Sequence, residues 1–418
     1  MNVYKFGGAS VKDADGVRNL LRVLEANKQK DLLIVVSAMG KMTNALEVVV
    51  DNYFNDKESL EASIAGIYDY HKLILDELFE NPSHEIYSLL QQRIEEMRAF
   101  FLTNKSSNHA FVYDQIVCFG ELLSTAIISA FLNESGVSNN WLDVRACLHT
   151  DDYYRSARVD WELTQKSIQS KVSKKGITIT QGFLGSERQN NFTTTLGREG
   201  SDYTAAIFAY CLNAHAVTIW KDVPGVLNAD PRYFSNTQLL NHISYREAIE
   251  LAFYGASVIH PKTLQPLQRK EIPLYVKSFI HPSGNGTCVG KGATLDPMTS
   301  CFILKKDQVL ISLSSLDFSF MMEDNFSQVF DLLHRYKMKV EMIQNSAISF
   351  SVCIDNKYNN LEPLLNRLRE KFKVTCFYGV TLYTVRHSTP LEIQSLAREK
   401  EVLLKQETAE TVQLVVNE

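Results

Sequence analysis

Thr194-Thr195-Leu196-Gly197-Arg198-Glu199-Gly200-Ser201-Asp202-Tyr203-Thr204-Ala205-Ala206 sets two glycines, an arginine, a serine and an aspartate in six positions, directly ahead of a helical run at 203–212. N–H groups at a helix start lack intrahelical partners and carry the positive end of the helix dipole. Glycine lets an anion approach the main chain closely. The stretch reads as an anion-binding turn, with Gly197, Gly200 and Ser201 at a phosphate and Ser201 as N-cap. Taken alone, a polar turn that only caps a helix has the same composition.

A second such turn lies at the amino terminus. Val3-Tyr4-Lys5-Phe6 alternates as a strand and runs into Gly7-Gly8-Ala9-Ser10, ahead of a helix at 13–27. A lysine just before a Gly-Gly bend can reach a phosphate whose oxygens the bend's amides cradle, which makes Gly7, Gly8 and Ser10 phosphate-binding candidates. Neither G-x-x-x-x-G-K-[ST] nor G-x-G-x-x-G occurs, so neither a P-loop ATPase nor a Rossmann dehydrogenase is indicated.

Between the turns, the apolar run 32–36 is of strand length and delivers Ser37 to the carboxyl edge, where open α/β sheets bind ligands. Residues 44–105 turn helical and polar and read as a cap over the substrate. A helix at 114–132 carries Glu121. Further strands are expected at 141–144, 177–183 and 216–220. Strand alternating with helix through residue 290 predicts an α/β fold, a mostly parallel sheet sandwiched by helices. Glycine, serine and threonine mark a boundary around 282–297. Beyond it, strands at 308–314, 339–343, 348–354 and 374–378 with helices at 325–336 and 361–371 give the β-α-β-β-α-β order of a ferredoxin-like unit. A shorter second pass follows: strand 381–386, helix 390–400, and strands 402–406 and 411–416.

The 418 residues exceed one ordinary core, and 45% hydrophobic content is that of a globular protein. A net charge of -5 with no basic block argues against a nucleic-acid partner. Seven scattered cysteines without a C-x-x-C pair suit reduced thiols, and the ten histidines show no metal-ligand spacing. Apolar runs such as 32–36 are too short to span a bilayer, so a cytoplasmic protein without a membrane partner is expected.

The series Lys5 to Ser10, Val36-Ser37-Ala38-Met39-Gly40-Lys41-Met42-Thr43-Asn44, Phe119-Gly120-Glu121, the opening stretch, Trp220-Lys221-Asp222-Val223-Pro224-Gly225, Asp230-Pro231-Arg232 and residues 255–263 resembles the aspartate kinases. The resemblance implies an amino-acid kinase catalytic domain at 1–290, its helical cap at about 44–110, and tandem or interleaved ACT-like regulatory units at 300–418. It implies phosphorylation of the L-aspartate side-chain carboxylate by ATP at the entry to lysine, threonine and methionine synthesis, with Mg²⁺ held mainly by the phosphates and no protein metal ligand assigned.

The resemblance also distributes roles. Lys5 and Asp202 are catalytic. Arg198 and Ser37 take the α-carboxylate, Glu121 the α-ammonium, and Thr43 adds polar contacts. Lys221, Asp222, Arg232 and Lys262 serve the nucleotide, whose base lies over 220–222. A homodimer through the ACT units and a lysine or threonine effector are implied, with Glu341, Gln344, Asn345 and Ser346 as candidates to grip it. A glutamate-kinase type of enzyme and a non-catalytic amino-acid sensor remain as alternatives.

Three departures from that pattern matter. Ala9 stands where a threonine is usual, which removes one hydroxyl and is tolerable if the backbone makes the contact. Glu199 stands where the family has glycine, and Lys221 where threonine is usual. A carboxylate beside phosphates weakens nucleotide binding unless offset, so Lys221 is expected to compensate Glu199, by direct ion pair or by adding a cation to the phosphate site.

Overall fold

Five consecutive apolar residues leave a strand no polar face, and Leu32–Val36 is buried at every position. The computed structural model describes residues 1–256, 259–292, 294–317 and 319–417. Ser257 and Val258 of the 255–263 motif, Ala293 of the glycine-rich boundary, and Phe318 and Glu418 of the carboxy-terminal region lie outside the described residues.

Leu32–Val36 sits inside an eight-stranded sheet of order Asn139–Leu142, Ile177–Gln181, Leu32–Val36, Asn2–Phe6, Val217–Lys221, Leu274–Ser278, Thr287–Gly290, His242–Ser244. The first six strands run parallel. Thr287–Gly290 is antiparallel to Leu274–Ser278 and parallel to His242–Ser244. Phe6 stands opposite Val36 and Trp220, and Val36 opposite Gln181. Gly7, Ser37, Gly182 and Lys221 therefore meet along one carboxyl edge, the place where such sheets hold ligands.

Asp13 caps helix Ala14–Asn27, accepting from the Gly16 N–H at 2.8 Å. The polar stretch that follows the second strand folds into helices Met42–Asn55, Lys57–Leu78 and Glu85–Thr103. Helix His109–Glu134 corrects the expectation that every apolar run is too short to cross a bilayer: by length and composition it could. Yet 83% of its most apolar window is buried within the fold, and Asp114 and Glu121 are buried along it, so it is a core helix. A small sheet of His149–Thr150, Leu184–Glu187 and Thr193–Thr195 was not legible from periodicity, its strands being two to four residues long. The seven cysteines are free thiols.

Two compact units divide the chain. Met1–Val226, Leu239–Ile249 and Val258–Asp296 form the first; Leu227–Gln238, Glu250–Ser257 and Pro297–Glu418 form the second. The second carries a six-stranded antiparallel sheet of order Lys339–Asn345, Ser349–Asp355, Cys301–Ser314, Lys373–Arg386, Thr411–Asn417, Glu401–Glu407. Helices Glu323–Arg335 and Leu361–Arg369 complete the β-α-β-β-α-β order, burying Val329, Leu333, Leu364 and Leu365 against Ile311 and Val352. The strands expected at 374–378 and 381–386 are one strand of 14 residues. Gly379, at φ 64, turns the backbone between them without ending the pairing. Cys301–Ser314 begins earlier than expected and pairs with that strand along both halves.

Candidate active site

Lys5 leaves the strand Asn2–Phe6 with its ammonium above Gly7, where a Cβ would stand 3.4 Å from Nζ. It forms an ion pair with Asp202, Nζ to Oδ1 at 2.7 Å. Asp202 is fully buried in the first turn of helix Gly200–Leu212, so this pair ties the two glycine-containing bends together. Lys221 stands 3.7 Å from the other oxygen of Asp202. Burial alone would raise the Asp202 carboxyl, but the two ammonium groups outweigh it and hold it below the ordinary carboxylate range.

Behind Lys5, the Gly7 carbonyl accepts from Ser10 N–H at 2.9 Å and the Gly8 carbonyl from Gly40 N–H at 3.0 Å. A Cβ on Gly8 would lie 2.6 Å from the Ala38 carbonyl oxygen, so the close approach of these loops requires glycine.

Glu199 occupies the N-cap position of helix Gly200–Leu212 with φ 56 and ψ 26. The helix thus starts earlier than expected, and Ser201 lies within its first turn rather than capping it. No side chain caps this end; a left-handed residue turns the chain into the helix instead. The expected direct ion pair between Glu199 and Lys221 is not formed among the described residues; Lys221 faces Asp202. A non-glycine residue in this conformation costs about 1–2 kcal/mol, part of which glycine's own entropy would cancel. Glu199→Gly is therefore expected to stabilise the protein by about 0.5–1 kcal/mol, read from the denaturant midpoint; a lower midpoint would contradict it.

A cavity of about 530 Å³ opens at this edge, with Lys5, Ser37, Thr43, Glu121, Arg198 and Asp202 in its wall, and Gly197, Gly200 and Ser201 beside them. Glu121 is buried. Its Oε1 accepts from the Ala38 N–H at 3.2 Å, and its Oε2 has no partner among the described residues. Burial pushes its carboxyl up to about 8, against the pull of the Ala38 N–H. Arg198 is exposed to the cavity and makes no ion pair among the described residues. The wall thus offers an acceptor that lacks a donor and a guanidinium that lacks an anion.

Three further residues of the wall, Glu47, Tyr113 and Arg155, belong to none of the sequence motifs. Tyr113 donates to Glu47 Oε1 at 3.0 Å, and burial raises the Tyr113 hydroxyl. Nearby Asp114 is buried and accepts from the Thr195 N–H at 2.9 Å and the Thr195 hydroxyl at 2.8 Å. Burial pushes its carboxyl up to about 6, partly offset by these donors.

Residues 1–278 match the amino acid kinase family. The chain is 34% identical over 361 residues to lysine-sensitive aspartokinase 3 of Escherichia coli, a match that takes in 84% of this chain and 78% of that one. The chain belongs to the amino acid kinase family and, within it, to the aspartokinases. A solved Escherichia coli aspartokinase III in complex with lysine and aspartate, in its T-state, has a TM-score of 0.85 at 29% identity over 100% of this chain and 96% of that one. The R-state of the same enzyme with aspartate and ADP has a TM-score of 0.82. Of the bifunctional aspartokinase/homoserine dehydrogenase of Daucus carota, 28% identical, the match spans 42% of the length.

Other positions that the aspartokinase resemblance singled out are placed differently. Asp222 and Lys262 are exposed, the first directly after strand Val217–Lys221 and the second at the start of helix Pro261–Lys270. His260 caps that helix, its Nδ1 accepting from the Lys262 N–H at 3.1 Å. Trp220 is 1% exposed and stacks on Phe6 at 6.2 Å, so its ring offers a nucleotide base no face. Arg232 belongs to the second unit, where it forms a fork on Asp230 with Nη2 at 2.6 Å from Oδ2. The Glu341 side chain is 7% exposed and already neutralised by Lys305 and by Lys339, the latter at 2.6 Å. Gln344 and Asn345 end strand Lys339–Asn345, and Ser346 follows in the exposed hairpin.

Proposed function

We propose that this chain transfers the terminal phosphoryl group of ATP to the side-chain carboxylate of L-aspartate, giving 4-phospho-L-aspartate and ADP, the first step toward lysine, threonine and methionine. The observation that carries this reading is the unpartnered, buried Glu121 Oε2 sharing one cavity with the unpaired Arg198 and with the Lys5–Asp202 pair. An amino acid brings an ammonium for the first and an α-carboxylate for the second, with Ser37 and Thr43 alongside. Its side-chain carboxylate is then left for the phosphoryl group at Lys5.

That carboxylate is already ionised at neutral pH and needs no general base. One of its oxygens attacks the terminal phosphorus as the bond to the ADP oxygen breaks. The obstacle is charge: two unit charges about 4 Å apart at an effective dielectric of about 20 repel by about 4 kcal/mol. Lys5 keeps donors free after pairing with Asp202, because an ammonium has three and Asp202 engages only part of them. Lys221 adds a second cation on the far side of Asp202, and the amides of Gly7, Gly8, Gly197 and Ser201 supply fixed dipoles, the Gly200 N–H being already donated to the Gly197 carbonyl at 3.0 Å. Mg²⁺ supplies further shielding of phosphate charge when bound. Among the described residues no group of three or more His, Cys, Asp or Glu could hold a metal ion, so the phosphates would carry it, with Asp202 as the buried carboxylate nearest Lys5.

Regulation by lysine is part of the same reading, supported by the lysine held in the T-state relative. A homodimer through the six-stranded sheets fits its two edge strands, Lys339–Asn345 and Glu401–Glu407, each paired on one side only among the described residues. Gln344, Asn345 and Ser346 are the part of the effector proposal left accessible; Glu341 would first have to exchange a lysine. The free thiols support a cytoplasmic location.

The test is aspartate-dependent ADP release, with hydroxylamine trapping of the acyl phosphate and with glutamate as rival substrate. Release with aspartate and little with glutamate is expected. No release with either makes the chain a sensor, and a preference for glutamate makes it the other kinase. Saturating lysine should inhibit and threonine should not; indifference of both rate and Tm to lysine removes the feedback proposal.

A further inference from the structure

Arg155 is a second guanidinium in the cavity that holds Arg198 and Glu121. Its backbone is left-handed, φ 67, a conformation an arginine keeps only where its surroundings impose it. Asp114 imposes it here. The buried carboxylate that holds Thr195 also accepts the Arg155 N–H at 3.0 Å, and the Ala157 N–H donates to the Thr195 carbonyl at 2.9 Å. The Arg155 segment is thereby fastened to the strand that leads into Gly197 and Arg198. A Cβ on Gly197, itself at φ 78, would stand 3.1 Å from the Arg155 carbonyl oxygen.

The root of Arg155 is fixed, but its head is loosely held. The guanidinium lies 4.0 Å from the Tyr113 ring centroid and 3.9 Å from Glu47 Oε1, beyond hydrogen-bond distance, and Glu47 Oε1 already accepts from Tyr113. Its neighbours also say which part of the site it serves. Glu47 is one helical turn beyond Thr43 on Met42–Asn55, and Tyr113 lies on the helix of Glu121. These are the amino-acid elements of the cavity, not the glycine bend at Lys5.

We propose that Arg155 is a substrate-reading residue: it leaves Glu47 and closes, together with Arg198, on the α-carboxylate of the amino-acid substrate, and so selects for a free α-carboxylate. Glu47 and Tyr113 park the cation while the cavity is empty. A carboxylate has acceptor sites enough for two guanidinium groups. The inference rests on the cavity being the amino-acid site of the proposed kinase.

Steady-state kinetics on wild type, Arg155→Gly and Glu47→Gln with L-aspartate, its α-amide and ATP test it. Glycine accepts the left-handed backbone, so Arg155→Gly removes the side chain without straining the segment. Its KM for aspartate should rise tenfold or more while KM for ATP stays within twofold, and the preference for aspartate over the α-amide should fall by a similar factor. Glu47→Gln, which frees the cation, should lower KM for aspartate. A smaller rise, an equal rise in KM for ATP, or an unchanged preference overturns the proposal and leaves Arg155 a structural residue. Should Arg155→Gly not fold, Arg155→Lys, which keeps the charge but loses the fork, is held to the same criteria. Wild type that turns over aspartate while the variants behave like it defeats only this inference; wild type inert toward aspartate defeats the kinase reading and this inference with it.

Discussion

Lys5→Met is expected to lower kcat by about 10³ with KM for aspartate changed only a few-fold, because a charge aimed at the transferring phosphoryl group in a site shielded from water is worth about 3–4 kcal/mol in the transition state. Lys5 as a residue is 8% exposed on a central strand, and methionine matches its unbranched apolar stem, so the sheet should persist. What changes is local. Among the described residues Asp202 then keeps Lys221, at 3.7 Å, as its cation, and the substrate carboxylate meets the phosphate with one ammonium fewer. Glu121 and Arg198, which would hold the amino-acid backbone, are untouched, and this is why the loss should fall on kcat. Single-turnover ADP release, with circular dichroism to verify the fold, reads it. Activity within tenfold of wild type would move Lys5 out of the phosphoryl path and leave its pair with Asp202 a purely structural contact.

How much of this was legible in the sequence follows from range. The bend after Phe6, the buried strand Leu32–Val36 and the anion-binding turn at 197–201 are written in a few adjacent residues, and local chemistry suffices to read them. That Lys5 and Asp202 meet is not written locally: Lys5 lies on the parallel sheet, whereas the chain reaches Asp202 from Thr193–Thr195, a strand of the small separate sheet. Conformation was harder. Glu199 looked like an intrusion into a glycine turn, yet the backbone there is left-handed, so the helix begins at Gly200 and Ser201 loses its capping role. Trp220 on a strand could equally have faced solvent; its stacking on Phe6 is set by a strand more than 200 residues away in the chain. Arg155 carries no local signal at all, because its posture is dictated by Asp114 and Tyr113 from a helix about 40 residues earlier.

The binding of aspartate should depend steeply on pH through Glu121. Its carboxyl, pushed up to about 8 by burial, is mostly protonated at neutral pH in the empty cavity, whereas an ammonium needs the carboxylate. Binding must therefore expel a proton, and KM for aspartate should rise about 50-fold from about pH 8 to about pH 6, the ionised fraction falling from about a half to about a hundredth. Glu121→Gln should abolish that slope and raise KM by about 100-fold at about pH 8, since a buried amide cannot replace a carboxylate facing an ammonium. Stability runs the other way. Between its ordinary value of 4.5 and about 8 the folded, ligand-free protein retains a proton that the unfolded chain has lost, so stability falls as pH rises through that window. The loss approaches an order of 4 kcal/mol at the top, and Glu121→Gln, neutral throughout, should recover much of it as a higher Tm above about pH 8. A variant that binds worse yet melts higher is hard to produce by damage to the fold. A KM for aspartate flat in pH, or a Glu121→Gln protein that melts lower at alkaline pH, would mean that this carboxyl is neither strained by burial nor reserved for the substrate's ammonium.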